Sequence, residues 1–119
     1  METDILAKTR TNKRRYSLGE EVVMSVTVAN KGLNPVELVF LSAQRYDFIV
    51  LKNGRVVWRW SDGRVFAMVL ETLFLKSGEE QTYNETWVPE DVTPGECEVI
   101  GIVTSRPSLE ARCTFRMNG

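Results

Sequence analysis

Histidine is absent from this chain of 119 residues. Its absence excludes histidine-based catalytic triads, histidine general bases and histidine metal ligands. Two cysteines are too few for a cysteine-rich zinc site, and no glycine-rich phosphate-binding loop is present. Carboxylates and serines are plentiful, but none lies in a motif that would tune its pKa. We therefore expect a protein that is not an enzyme and that holds no cofactor and no metal.

Long apolar runs and net charge are also lacking. No apolar run approaches 18 residues, so we expect no membrane-spanning helix. The net charge of −1 provides no general attraction to nucleic acid or to membranes. A basic run over residues 8–15 has no aromatic residues between its cations, so no stacking surface for single-stranded nucleic acid is predicted. The acidic amino terminus lacks an apolar signal core, so we expect a cytoplasmic protein.

The residues that are present indicate β-structure. Turn signals recur about every 8–12 residues, and no segment has the pattern of an amphipathic helix. The clearest strand covers residues 21–30, where Val22, Met24, Val26 and Val28 alternate with smaller or more polar side chains. A chain of this length is expected to form a single domain over residues 1–119 and to need no disulfide. Residues 65–75 are ambiguous between one helical turn and an irregular strand.

The most informative stretch runs from Gln44 to Phe66 and contains a hairpin. Asn53 and Gly54 lie between two runs rich in valine, isoleucine and aromatic residues. Both residues readily adopt positive φ, as a two-residue type I′ turn requires. Period-two geometry then places Trp58 and Trp60 on one face of the second strand. We expect both to pack in the core rather than to bind a partner, with Trp60 the more exposed because it is nearer the next turn.

This stretch also resembles a known family. The residues that carry the resemblance are Tyr46-Asp47-Phe48, Gly54, Trp58-Arg59-Trp60-Ser61, Gly63 and Phe66, with Val28-Ala29-Asn30, Ser77-Gly78-Glu79 and Pro94-Gly95 around them. They are similar to the signature of the BsuPI-type intracellular proteinase inhibitors, over roughly residues 16–104. The resemblance implies an all-β, immunoglobulin-like antiparallel β-sandwich, for which we predict seven to nine strands. By the family name, it also implies inhibition of an intracellular subtilisin-like serine protease.

Several side chains have predicted structural roles. Arg59 points away from the tryptophan face and is expected to pair with Asp47 or Glu71. The hydroxyl of Tyr46 is expected to hold a loop in place. In a closing hairpin that turns at residues 105–108, Cys97 lies nearly opposite Cys113 on an inward face. A reducing cytosol favours two small buried side chains there rather than a disulfide.

The loops at either end of the sandwich are the candidate contact surfaces, since binding residues are often carried on loops. If the strands simply alternate in direction, one end gathers residues 31–35, 53–54, 76–79 and 105–108. We prefer this end because Arg106 is a protruding cation and Pro107 restricts its loop. The candidate contacts here are Arg106, Pro107, Asn34 and Asn53.

The opposite end gathers residues 18–20, 42–45, 61–63 and 89–95, and it remains an alternative. It carries the residues Gln44, Trp60, Ser61 and Asp62. Two functions also remain open. The first is non-covalent, loop-mediated inhibition of a subtilisin-like serine protease. The second is a non-inhibitory immunoglobulin-like module for protein interaction or structure. Complex formation with an intracellular subtilisin would distinguish them.

Overall fold

The computed structural model describes residues 4–119, which form ten β-strands and no helix. The strands are β1 (Ile5–Thr11), β2 (Arg15–Ser17), β3 (Val22–Asn30), β4 (Val36–Phe40), β5 (Tyr46–Lys52), β6 (Arg55–Arg59), β7 (Glu71–Leu75), β8 (Glu80–Trp87), β9 (Gly95–Val103) and β10 (Leu109–Asn118). The all-β prediction is confirmed. The count exceeds the predicted seven to nine because β2, which is only three residues long and begins at the last cation of the basic run, has no alternating pattern.

Two sheets form a β-sandwich. One sheet has the order β1-β3-β8, and the other has the order β2-β10-β9-β5-β6. Neighbours are antiparallel except for β2, which runs parallel to β10. As predicted, Val22, Met24, Val26 and Val28 are fully buried, since alternate residues of β3 point to one face. The immunoglobulin-like arrangement in particular stays a prediction.

The Asn53 hairpin forms as expected. Asn53 and Gly54 have φ values of 53° and 76°, and they join Lys52 to Arg55 across a two-residue loop. Positive φ at both positions matches the type I′ turn, whose twist follows that of the flanking strands.

The register of the closing hairpin differs from the prediction. Cys97 pairs with Phe115, and Cys113 pairs with Val99, so the cysteines are diagonal neighbours rather than opposite partners. The loop holds five residues, 104–108, rather than four, because Thr104 is bonded to the chain before β5. Both cysteines are free thiols. Cys97 is buried and Cys113 is half-buried.

The predicted grouping of the loops is wrong for residues 42–45, 53–54 and 61–63. The fourth and seventh strands pair with each other as a separate two-stranded ribbon and do not run the length of the sandwich. The chain therefore leaves β3 and enters β5 at the same end of the sandwich, and it leaves β6 and enters β8 at that end too. We call this the ribbon end, and its loops are residues 31–35, 42–45, 61–70, 76–79 and 104–108.

The opposite end holds the Asn53 turn. Lys52 pairs with Cys97 near the start of β9, and its ammonium donates a hydrogen bond to the hydroxyl of Thr93 at 2.9 Å. Asn53 therefore lies beside residues 89–95 and not beside Arg106, with which the sequence analysis had grouped it.

The sheets approach each other closely at Gly101 in β9. A Cβ atom at this position would lie 2.4 Å from the hydroxyl oxygen of Thr9 and 2.9 Å from the Cβ of Val26. Both distances are far shorter than van der Waals contact, so only glycine allows this spacing of the sheets.

We predict that Gly101→Ala lowers the free energy of unfolding by about 1–3 kcal/mol, because the added methyl group overpacks the interior. Urea titration should show a lower midpoint with an unchanged slope. Gly54→Asn is the control: a Cβ there meets nothing within 4 Å, and asparagine tolerates positive φ. If the two variants were equally stable, close packing at Gly101 would not limit the spacing of the sheets.

Candidate functional site

A buried carboxylate organises the ribbon end. Asp47 in β5 accepts hydrogen bonds from the amides of Phe48 at 2.9 Å and Ser61 at 3.1 Å. The Ser61 hydroxyl donates to the second carboxylate oxygen at 2.6 Å. The guanidinium of Arg59 lies 3.8 Å from the same oxygen, which confirms one of the two predicted pairings. Asp47 therefore fixes the point at which the chain leaves β6.

The turn that follows β6 closes over Trp60. The amide of Arg64 donates to the Ser61 carbonyl at 3.0 Å, and the Arg64 side chain donates to the Trp60 carbonyl at 2.9 Å. The Arg64 guanidinium also lies 4.3 Å from the centre of the indole ring, a favourable cation–π distance. Phe66 packs against the indole with its ring centre 5.8 Å away. These contacts leave Trp60 only 9% exposed.

The predicted order of tryptophan exposure is thus reversed. Trp60 is buried beneath the turn, while Trp58 is half-buried and stacks on Trp87 of β8 at 5.7 Å. Its position next to a predicted turn favours exposure of Trp60, but the chain folds back across the indole.

Tyr46 links the two sheets. Its ring stacks on Trp60 at 4.6 Å and on Tyr83 of β8 at 5.0 Å. Its hydroxyl donates a hydrogen bond to the carboxylate of Glu85, also in β8. The expected loop contact is therefore wrong, since the partner is a strand of the facing sheet. Burial of the ring, and then the bond to Glu85, raise the pKa of Tyr46 to about 12.

Asn30 performs a similar role at the end of β3. Its buried side-chain amide donates to the carbonyls of Asn34 at 2.8 Å and Leu75 at 3.0 Å, and its carbonyl oxygen accepts from the Gly32 amide at 2.9 Å. One buried side chain thereby satisfies three backbone groups. It joins the first loop of the ribbon end to the ribbon itself.

The predicted contact residues fall into two places. The ribbon end brings together seven of the eight predicted contact residues, from both of the predicted ends. They are Arg106, Pro107, Asn34, Gln44, Trp60, Ser61 and Asp62. Asn53 is the exception, at the opposite end of the sandwich. Arg106, Pro107, Asn34 and Asp62 are exposed, whereas Trp60 is buried. The Arg106 amide donates to the Val39 carbonyl at 2.9 Å, which holds its loop against the ribbon.

The segment of residues 64–70 is an exposed feature that the sequence pattern does not predict. It has no regular secondary structure, and its apolar side chains other than that of Phe66 are exposed: Val65 is 96% exposed, Met68 83% and Leu70 73%. The sequence signal was an apolar run, residues 65–70, that contains no charge and fits neither the helical nor the strand period. Exposed apolar side chains grouped in this way typically mark an interaction surface.

A family model described as BsuPI, intracellular proteinase inhibitor, matches residues 9–108. The chain belongs to this family. The match includes Asp47, Ser61, Trp60 and the segment of residues 64–70, so the organised end described above lies within the family domain. The family is named for inhibition, which is not an enzymatic activity. A search of curated proteins gave no match.

Solved structures share the fold at low sequence identity. Spo0M, a sporulation control protein from Bacillus subtilis, is 16% identical with a TM-score of 0.60, over 99% of this chain and 51% of that one. A β-glucosidase from Erythrobacter marinus is 17% identical with a TM-score of 0.54, over 96% of this chain but only 15% of that one. At such identities the likeness shows the fold alone.

A third similar structure is a CARDB domain from Pyrococcus furiosus, solved in complex with di-metal ions. It is 16% identical with a TM-score of 0.56, over 97% of this chain and 88% of that one. Within residues 4–119 of the present chain, no group of three or more cysteine, aspartate or glutamate side chains is placed to hold a metal ion. The same residues include no helix of the length and apolarity needed to cross a membrane.

We predict that Asp47→Ala lowers the free energy of unfolding by about 1–3 kcal/mol, because it leaves buried donors of Phe48 and Ser61 without an acceptor. Chemical denaturation is the measurement. Asp62→Ala is the matched control, since its carboxylate is 76% exposed and its removal should change stability by no more than about 0.5 kcal/mol. Equal stabilities of the two variants would contradict the organising role of Asp47.

We also predict an alkaline stability effect at Tyr46. A folded-state pKa of about 12 lies above the ordinary tyrosine value of about 10, so the protonated hydroxyl stabilises the fold. This stabilisation is complete below pH ~10 and is lost as the pH rises through ~12. Wild type should exceed Tyr46→Phe in stability at pH 8, and urea titrations should show the difference shrinking over that range. A difference independent of pH would disprove the effect.

Proposed function

We propose that this chain is a cytoplasmic inhibitor of a subtilisin-like serine protease, that it binds non-covalently through loops of the ribbon end, and that residues 1–119 act as one domain. The family match over residues 9–108 is the observation that carries this proposal. The chain contributes no catalytic group, no cofactor and no metal to the complex. Nucleic acid and membranes are not partners in this proposal.

The construction of the ribbon end supports loop-mediated binding. Asp47 and Asn30 hold its loops through buried hydrogen bonds, and the Arg106 loop is bonded to the ribbon at Val39. Loops that are fixed before binding lose little conformational freedom when a partner arrives, which lowers the cost of association. A rigid inhibitor therefore retains more of its contact energy as affinity.

The number of loops at this end also suits a protease interface. A standard interface buries about 800 Å² on each partner, which one tight turn does not supply. The ribbon end offers five loops side by side, including the exposed apolar residues of the segment 64–70. The opposite end is formed around the compact Asn53 turn and residues 89–95.

A second candidate is a non-inhibitory immunoglobulin-like interaction or structural module. The similar structures favour it in one respect, because this fold covers only 15% of the β-glucosidase chain and 51% of the Spo0M chain. The fold therefore occurs as part of larger proteins. In that role the ribbon end would contact another protein without blocking a protease.

An inhibition assay against a panel of subtilisin-like proteases tests the proposal. Wild type should inhibit at least one protease reversibly. The variant Arg106→Ala should weaken inhibition by about tenfold, or about 1.4 kcal/mol, with little change in melting temperature because the residue is exposed. Asp62→Ala should act in the same direction.

The matched control is Asn53→Gly, which preserves positive φ at the opposite end and should leave inhibition unchanged. If Asn53→Gly weakened inhibition and Arg106→Ala did not, the contact surface would be the opposite end. If wild type bound no subtilisin-like protease, the inhibitory function would be wrong and the interaction module would replace it.

A further inference from the structure

Met68 occupies the tip of the segment of residues 64–70. The Val69 amide donates to the Ala67 carbonyl at 3.1 Å, which closes a three-residue turn with Met68 at its centre. Met68 is not among the residues with positive φ, so the turn is of the inverse γ type. Its side chain is 83% exposed. A γ-turn at this position makes the segment convex and directs one long apolar side chain outward.

The tip is fixed on both sides. Before it, Phe66 packs on Trp60, and the Ala67 carbonyl accepts a second hydrogen bond from the Ala43 amide at 2.9 Å. After it, Glu71 at the start of β7 binds the Arg45 guanidinium at 2.9 Å. The tip is thus held by contacts that do not involve the Met68 side chain, which remains free for a partner.

The apolar, uncharged character of the tip indicates which kind of partner surface it matches. Residues 65–70 carry no charge, and within the described residues the amide and carbonyl of Met68 make no hydrogen bond. A matching surface must offer an apolar pocket for the side chain and backbone groups beside it. Such a concave apolar site with a few directional polar groups is typical of a substrate-binding cleft.

We infer that Met68 is the side chain that enters the primary specificity pocket of the inhibited protease, and that this pocket is apolar. The inference rests on the proposed inhibitory function and names the residue that determines its target. Arg106 then lies at the rim: its backbone amide is already bonded to Val39, and its cation would require an acidic pocket. Flexible, polarisable methionine adapts well to such a pocket.

The variant Met68→Asp tests this assignment. An aspartate in an apolar pocket is desolvated without a partner, so the inhibition constant should rise by at least ~30-fold, the loss typical of an interface hot spot. The melting temperature should not change, because the side chain is exposed. Val56→Asp is the matched control: it places the same charge on an exposed apolar residue of β6, outside the ribbon end, and should leave inhibition within twofold.

A series of Met68 variants with side chains of different size tests the assignment further, because a general disruption of the interface would not depend on side-chain size in the same way. The inhibition constants of Met68→Ala, Met68→Leu and Met68→Phe should follow the preference of the same protease among peptide substrates that differ only at the residue before the cleaved bond. A rank order unrelated to that preference overturns the assignment.

The remaining outcomes distinguish the assignment of Met68 from the proposed inhibitory function. If wild type inhibits and Met68→Asp inhibits equally well, the assignment of Met68 is wrong while the proposed function stands. If wild type inhibits no protease in the panel, the function fails and the assignment fails with it. A second copy of the chain is the other possible occupant: if Met68→Asp abolishes self-association by light scattering but leaves inhibition unchanged, the tip is a self-association surface and the inference is wrong.

Discussion

The ribbon end depends on the buried carboxylate of Asp47. A carboxylate removed from water is costly unless its oxygens are hydrogen-bonded, and here the donors come from the residue that follows and from Ser61 after the next strand. That requirement fixes where the chain leaves β6. It places Trp60 under the turn, and Trp60 in turn holds Arg64 and Phe66. Phe66 is two residues before Met68, so these contacts also position the exposed tip.

The pairing of β4 with β7 explains why so many loops meet at one end. Had each strand run the length of the sandwich, the loops before and after it would lie at opposite ends. Instead the two strands pair with each other from Val36 opposite Leu75 to Phe40 opposite Glu71. The side-chain amide of Asn30 donates hydrogen bonds to the loop before β4, at Asn34, and to the end of β7, at Leu75. Because β4 and β7 pair with each other, the segments that join β3 to β5 and β6 to β8 lie side by side at one end of the sandwich.

Local features of the fold were predicted more completely than the long-range arrangement of strands and loops. The alternation of β3 and the Asn53-Gly54 turn depend on neighbouring residues, and both predictions are confirmed. The prediction that Asn53 lies with Arg106 is wrong because it assumed that every strand runs the length of the sandwich. Since β4 pairs with β7 instead, β5 begins at the ribbon end and Asn53 lies at the other end. The cysteine register failed because Thr104 is drawn into the loop by its bonds to the chain before β5. The exposed tip was missed because an apolar run with no period indicates neither burial nor exposure.

The residues that carry the family resemblance differ in kind from those proposed to select a target. Asp47, Trp60 and Phe66 are buried or half-buried, and their contacts described above are within the chain. Substituting them would change the scaffold before it changed a contact. Met68, by contrast, contributes little to the scaffold, since its side chain is almost wholly exposed. The tip residue can therefore change with little effect on stability, and under the proposed assignment two chains with the same framework residues would bind different proteases.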